Sequence, residues 1–345
     1  MTSLIATVGP SLTAPGVLDQ ALAAGVGGLR LSASKFDAAQ LAGQLRTIRQ
    51  ALQRTGRHAD VLLDLPGAKT RLANDDWLDL DGITQLRIDF TPAPVHRDGQ
   101  QARVGVTGPG LGPVQPGDVL VFGDGEDAAR VVQVTAGHLV AQPLTRGAVG
   151  RRKGVAVLGR PALARSLAGG ERELVTELAP LGLTGVIVSF VEDADVLNQV
   201  RAWLPAQLAL VAKVETRAGI VNSDAILPAA DALLLGRGDL LLDAGETDFY
   251  DLGKTLLKKA QQAGCPVVVG TQLLSSLSQG WLPNRSELAY LSHLLEKGVD
   301  GLMLAAETTV GERPVRAVQL AAELAARYGT TPLGPLFPVL AAAGR

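Results

Sequence analysis

The 345-residue sequence holds a single cysteine, Cys265, so neither an internal disulfide nor a cysteine metal site can form. Its position before Pro266 at a strand start reads as a buried, inert thiol. Histidine is scarce: His58, His96, His138 and His293 show no metal-ligand spacing and read as surface residues. Aromatic residues make up only 3%, and the formal charge is −2, which argues against a dedicated nucleic-acid binder. No apolar run reaches the roughly 18 residues that a membrane span needs. The opening Met1–Pro10 stretch has no basic segment and no long apolar segment, so a secretory leader is not expected. A reduced, cytoplasmic setting is the expectation.

Hydrophobic residues make up 47% of the chain, and glycine is frequent at 40. Such a Val/Leu/Ala/Gly-rich chain suits an α/β fold with buried parallel strands. Its length allows two domains, or one barrel of about 250 residues plus a smaller module. Short apolar runs at Leu4–Val8, Gly28–Leu31, Val61–Asp64, Gly185–Phe190, Ala209–Val214, Ala232–Leu235, Pro266–Gly270 and Gly301–Leu304 read as eight buried strands. Helical spacing lies between them, as at Ala38–Arg54, Asp193–Leu204 and Tyr250–Ala263. The pattern predicts a (β/α)₈ TIM-type barrel. Between residues 72 and 152 the alternation stops, and short β-like pieces such as Val119–Phe122 and Leu139–Pro143 are divided by Gly, Pro and Asp turns. This segment predicts a small all-β insert between the third strand and the next helix of the barrel. The barrel then comprises residues 1–71 and 153–330, and residues 331–345, rich in Pro, Gly and Ala, read as a loosely attached tail.

A barrel of this kind carries its chemistry at the C-terminal ends of its strands. Those ends supply Arg30, Asp64 with Lys69 and Arg71, Ser189, Lys213, Glu215, Arg237, Asp239, Thr271 and Glu307. Lys213 and Glu215 lie two apart on one strand and therefore share a face. They form either a structural ion pair or a convergent lysine and carboxylate at a ligand. Asp239, in Arg237-Gly238-Asp239, either caps a turn or shares a divalent metal with Glu215. Thr271 is either a helix N-cap or a hydroxyl facing substrate. Together these groups suit an anionic substrate held on a divalent metal.

The ordered motifs Ala6–Pro10, Arg30–Ser34, Leu62–Asp64, Lys153–Val155, Ser189–Val191, Lys213–Glu215, Arg237–Leu240, Thr271–Leu274, Asn284–Glu287 and Met303–Thr308 resemble the pyruvate kinase family over nearly the whole barrel and insert. The resemblance implies phosphoryl transfer from phosphoenolpyruvate to ADP or another nucleoside diphosphate, giving pyruvate and ATP. It implies Glu215 and Asp239 as ligands of Mg²⁺ or Mn²⁺, and Lys213 as the cation beside the phosphoryl group in flight. Arg30 would hold the phosphate, while Gly238, Asp239 and Thr271 would receive the substrate carboxylate. Arg71, Lys35 and Lys153 would face the nucleotide, and Asp124 would be the lid acid that meets the site on closure. A plain hairpin turn is the other reading of Asp124.

The sequence also departs from the family pattern. Leu65 stands where the family has a hydroxyl ligand for K⁺, beside Ser32, Ser34 and Asp64, and Lys69 replaces a nearby glutamate. Potassium-independent members share that combination, so the expectation is a fixed ammonium in place of K⁺. Lys35 replaces a histidine, Ala156 an asparagine, Glu192 an arginine and Ala305 a serine of the proton-delivery region. The chain ends about where the family's regulatory domain begins, so sugar-phosphate allostery is not expected and a homodimer would use the barrel. Two other readings stay open: a phosphoenolpyruvate- or pyruvate-binding paralogue with a changed acceptor or no kinase activity, and a metal-dependent pyruvate-enolate lyase or aldolase.

Overall fold

A computed structural model describes residues 1–161 and 163–337. Eight parallel strands close into a barrel: β1 Ser3–Thr7, β2 Val26–Ser32, β3 Asp60–Asp64, β4 Gly185–Val188, β5 Ala209–Val214, β6 Ala232–Gly236, β7 Val267–Gly270 and β8 Gly301–Leu304. Each strand pairs with its sequence neighbours, and β1 pairs with β8 through Ser3–Gly301 and Ile5–Met303. The strands are apolar on both faces because helices cover the outside and side chains fill the inside. Outward residues such as Leu4, Leu63, Ala212 and Leu233 pack under the helices. Inward residues Ile5, Leu62, Ile187, Val211, Leu234, Val268 and Met303 form a separate apolar layer across the lumen.

The helices follow their sequence signals. Ala38–Thr55 starts at Asp37, whose side chain accepts the Gln40 N–H while the Gln40 side chain accepts the Asp37 N–H. It stops at Gly56, which takes φ 62°. Phe249–Ala263 ends the same way at Gly264, with φ 65°. The closing helix Pro314–Tyr328 begins with proline at its first position and buries Ala317, Val318, Ala321 and Ala325 on one face.

The insert after β3 is an all-β unit with its own core, built around Leu86, Ile88, Val104, Leu120, Phe122, Val131 and Leu139. Its main sheet runs in the order Val155–Val157, Val119–Phe122, Asp127–Val134, His138–Pro143, Gln85–Asp89, Gln101–Thr107, Arg71–Leu72. Its two ends are tied together where Leu72 N–H donates to Lys153 O at 2.9 Å. A barrel contact follows, with Gly159 N–H donating to Leu242 O at 2.7 Å.

The tail does not hang loose through residue 337. Leu333 bridges Thr2 in parallel, and Gly334 N–H donates to Thr2 O at 3.0 Å. The Leu336 and Phe337 N–H groups both donate to Asp60 Oδ2, at 2.6 and 3.2 Å. Their side chains pack on the lumen layer from the N-terminal end. Gly27 makes this crossing possible, because a Cβ there would lie 2.3 Å from Gly334 O. Residues 338–345 of the expected tail lie outside the described residues.

Candidate active site

Moving two residues along each strand from the apolar lumen layer keeps the same inward side and reaches the barrel mouth. The step gives Thr7, Arg30, Asp64, Ser189 and Lys213 on the first five strands, counting from Ile5, Gly28, Leu62, Ile187 and Val211. On the last three it gives Gly236, Gly270 and Ala305. One side of the mouth is therefore polar and the other is nearly bare.

The polar side is a continuous network. Arg30 Nε and Nη2 both donate to Asp64 Oδ2, at 2.7 and 2.5 Å, and Nη1 reaches Thr7 Oγ1 at 3.3 Å. Ser189 Oγ donates to Asp64 Oδ1 at 3.0 Å. Lys213 Nζ lies 3.5 Å from Ser189 Oγ, 4.0 Å from Asp64 Oδ2 and 3.1 Å from Glu215 Oε2. The other Glu215 oxygen accepts the Phe190 N–H at 3.0 Å. Gly236 makes room for this pair, since a Cβ there would sit 2.6 Å from Glu215 Oε2 and 3.2 Å from Lys213 Cε.

Burial sharpens the electrostatics. It pulls the Lys213 ammonium down, but Glu215 and Asp64 outweigh it and hold Lys213 above the usual lysine value. Burial raises Asp64, yet Lys213 and Arg30 keep that carboxyl below its ordinary range. Glu215 is pushed up to about 7 by burial, with Lys213 opposing and the charges of Asp239 and Asp64 adding to the rise. These carboxylates lie close enough to disfavour one another's charge, so the site favours additional positive charge. Two oxygen-donor side chains from successive strand ends, on such a site, fit a hard divalent cation.

Asp239 sits in the first turn of helix Arg237–Ala244 and accepts from Lys69 Nζ at 2.8 Å. The Lys69 ammonium is thus bonded to Asp239 rather than to Asp64. It shares a cavity of about 130 Å³ with Ser32, Ser34, Asp64 and Leu65, the residues expected at the K⁺ position. Thr271 is no helix cap. It takes φ 72° and Gln272 takes φ 51°, left-handed values unusual for non-glycine residues, above all a β-branched one. Thr271 Cγ2 lies 3.2 Å from where a Cβ on Gly238 would stand, and Asp124 Oδ1 lies 3.9 Å from that same point. The hairpin tip of the insert therefore reaches the barrel at Gly238, with Asp124 facing it.

At the rim, the Lys35 ammonium is held below the usual lysine value by desolvation and by the charges of Arg30, Lys153 and Arg71, with Asp124 opposing. Lys153 also pairs with Glu126 at 3.2 Å, and Arg71 Nη1 donates to Arg152 O at 3.1 Å. The sequence-derived residues thus divide into a part-buried centre of Arg30, Lys213, Asp239 and Lys69 around the fully buried Glu215, a roof of Gly238, Thr271 and Asp124, and a cationic rim of Lys35, Arg71 and Lys153. Ser189, on Asp64, and Arg237, on the turn at Thr271, stand among the strand-end candidates of the sequence, which assigned neither a role. Ser189 stood at a strand end, and the two-residue step from Ile187 points to it. The Arg237 contacts depend on backbone geometry that no sequence pattern displays. Elsewhere, Cys265 is buried with its thiol pushed up to about 11 by that burial, in keeping with an inert role. Among the described residues, no helix is long and apolar enough to cross a membrane.

The sequence matches the family described as "Pyruvate kinase, barrel domain" over residues 1–318. It is 28% identical over 328 residues to a pyruvate kinase of Aeropyrum pernix, covering 94% of this chain and 70% of the relative. Similarity to a pyruvate kinase of Geobacillus stearothermophilus is 31% over 335 residues, covering 94% of this chain and 56% of the relative. A third, from Agrobacterium vitis, is 30% identical over 322 residues, covering 92% and 66% respectively. The chain therefore spans little more than half to about two-thirds of the length of these relatives. The match covers every strand of the barrel and the whole insert, and the chain belongs to the pyruvate kinase family.

Proposed function

We propose that this protein transfers the phosphoryl group of phosphoenolpyruvate to ADP or another nucleoside diphosphate, giving pyruvate and ATP, with Mg²⁺ or Mn²⁺ and without a need for K⁺. The observation that carries this reading is the largely enclosed Lys213, held protonated between Asp64 and Glu215 beside Arg30, at the mouth of the barrel.

Phosphoryl transfer spreads negative charge over the oxygens of the moving group, and fixed positive charge compensates it best where water is excluded. Lys213 supplies one such charge. The Arg30 guanidinium, oriented by Asp64 and Thr7, supplies another. Glu215 and Asp239 would hold the divalent metal, whose charge, when bound, offsets that of the phosphoryl oxygens. The cations of Lys35, Arg71 and Lys153 would receive the nucleotide phosphates at the rim. Thr271 and Gly238 would hold the carboxylate end of the substrate under Asp124. A lid in this position limits hydrolysis by keeping water from the phosphoryl group. Lys69 supports the K⁺ part of the reading: it brings a covalently fixed ammonium to the cavity where Leu65 offers no side-chain oxygen.

The test is a coupled assay for pyruvate formation with ADP, GDP and UDP, with K⁺ present or absent. Turnover in K⁺-free buffer, unchanged on adding K⁺, is expected. Lys213→Met is expected to lower kcat by about 10²–10³-fold, the usual scale for losing one preorganised charge contact. Turnover that Lys213→Met leaves intact would refute the role of the lysine, and a rate that appears only with K⁺ would refute that of Lys69.

A further inference from the structure

The turn after β7 holds two adjacent non-glycine residues in the left-handed region, Thr271 at φ 72° and Gln272 at φ 51°. Backbone of this kind persists only where its surroundings enforce it, and it gathers at functional sites. The enforcing group is visible. Arg237 Nε donates to Gly270 O and Thr271 O, both at 3.2 Å. Its Nη2 donates to Thr271 O at 2.5 Å and to Gln272 O at 2.9 Å. One guanidinium thus collects three consecutive carbonyls, which an ordinary strand directs alternately to opposite sides. The guanidinium in turn lies over the Tyr290 ring, 4.6 Å from its centroid, on helix Arg285–Glu296. Among the described residues Arg237 makes no salt bridge to a carboxylate; its donors are directed to the turn.

We propose that Arg237, braced by Tyr290, is a positioning residue that fixes the Thr271–Gln272 turn and so places Thr271 against Gly238 for the substrate. This rests on the proposed phosphotransferase reading, but the physical claim stands apart from it. Three features specify an arginine here. Its planar fork presents several donors in a fixed geometry, which a lysine ammonium does not reproduce. Its face stacks on an aromatic ring, which holds the plane in place. The peptides are trans, so turning three carbonyls toward Arg237 directs the N–H groups of Thr271, Gln272 and Leu273 away from it. Among the described residues the hydrogen bonds of Arg237 go to backbone carbonyls and its ring contact is Tyr290, so it acts through Thr271 and not on the reacting atoms.

The experiment compares wild type, Arg237→Lys, Tyr290→Phe and Tyr290→Leu. Backbone hydrogen exchange of the peptide covering residues 270–274 is measured by mass spectrometry in each. Arg237→Lys is expected to accelerate it about tenfold or more, with the barrel strands unchanged. Tyr290→Leu is expected to shift it the same way by less, and Tyr290→Phe, which keeps the ring, not at all. In parallel, kcat and KM for phosphoenolpyruvate are read, with exchange of the pyruvate methyl hydrogens into deuterated water as a measure of the proton-transfer step. Arg237→Lys is expected to lower kcat and methyl exchange together, by about 10–100-fold, with Mn²⁺ binding within about threefold of wild type. Unchanged turn exchange in Arg237→Lys overturns the proposal. So does a loss spread equally over Mn²⁺ binding and global exchange, which marks a purely structural role. If wild type fails to turn over phosphoenolpyruvate, the functional reading fails by itself, and the turn-exchange comparison still decides the role of Arg237.

Discussion

Lys69 shows how one side chain can carry two consequences. Its ammonium donates to Asp239 Oδ1 at 2.8 Å, and Asp239 is half of the proposed metal pair. A cation already bonded to a ligand oxygen competes with a metal for it. Removing the ammonium by Lys69→Met is therefore expected to tighten Mn²⁺ binding without substrate. A partly exposed ion pair contributes on the order of 1 kcal/mol, so the dissociation constant is expected to fall about 3–10-fold, as read by electron paramagnetic resonance. Weaker or unchanged Mn²⁺ binding would show that Lys69 supports the metal site or ignores it. The sequence places Lys69 near β3 and Asp239 near β6, and nothing local joins two residues 170 positions apart. Lys213 and Glu215, two apart on one strand, were legible as neighbours because strand periodicity alone puts them on one face. Arg237 was legible as a strand-end cation but its role was not, because its partners are carbonyls whose direction depends on positive φ at Thr271 and Gln272.

Elements were legible where burial on both faces wrote a continuous apolar run. All eight barrel strands show this, and the insert strand Val119–Phe122 was found to the residue. Gln101–Thr107, half-exposed and interrupted by Gly105, gave no such run. The stretch 331–337 reads as loose because Pro and Gly punctuate it, yet tertiary hydrogen bonds to Asp60 and apolar contact in the lumen hold it. That docking leaves a mark on pH dependence. Burial pushes the Asp60 carboxyl up to about 6, and the two N–H donors only partly offset the burial. Its unfolded value lies near 4, so the folded state binds more protons between about pH 4 and 6. Stability from this group accordingly falls as pH rises through that window. Above it a charge-burial cost on the order of 3 kcal/mol persists. Asp60→Asn keeps an oxygen for both N–H groups and removes the charge. Urea unfolding at pH 4.5 and pH 8 is expected to show the variant gaining on wild type at pH 8 and matching it more closely at pH 4.5. A variant weaker at pH 8 would mean that the carboxylate charge helps hold the segment.

At the scale of the whole molecule, two hydrophobic cores meet at one chemical centre. The barrel core and the insert core are separate clusters, so each unit buries its own apolar surface. The insert joins the barrel through a neck whose two strands are paired, Leu72 N–H to Lys153 O at 2.9 Å and Val155 N–H to Thr70 O at 2.9 Å. A neck closed in this way lets the barrel fold without the unit beyond it, because a short linker can join the adjacent ends. The centre divides along the same line. Arg30, Lys213, Glu215, Asp239 and Thr271 stand on the barrel, while Asp124 stands on the insert, and Lys69, Arg71 and Lys153 stand at the neck. Replacing residues 73–152 by a short Gly/Ser linker is therefore expected to leave a cooperative barrel with native-like circular dichroism and measurable Mn²⁺ binding. Transfer to the nucleoside diphosphate is expected to fall by at least about 10²-fold, because roof and water exclusion go together. Release of inorganic phosphate from phosphoenolpyruvate is expected to become the larger fraction of what turnover remains, since the opened mouth admits water to the phosphoryl group. Phosphate release and nucleoside triphosphate formation measured on one sample give that ratio. Undiminished transfer would show that the barrel completes the site alone, and an unfolded barrel would show that the two cores are not independent.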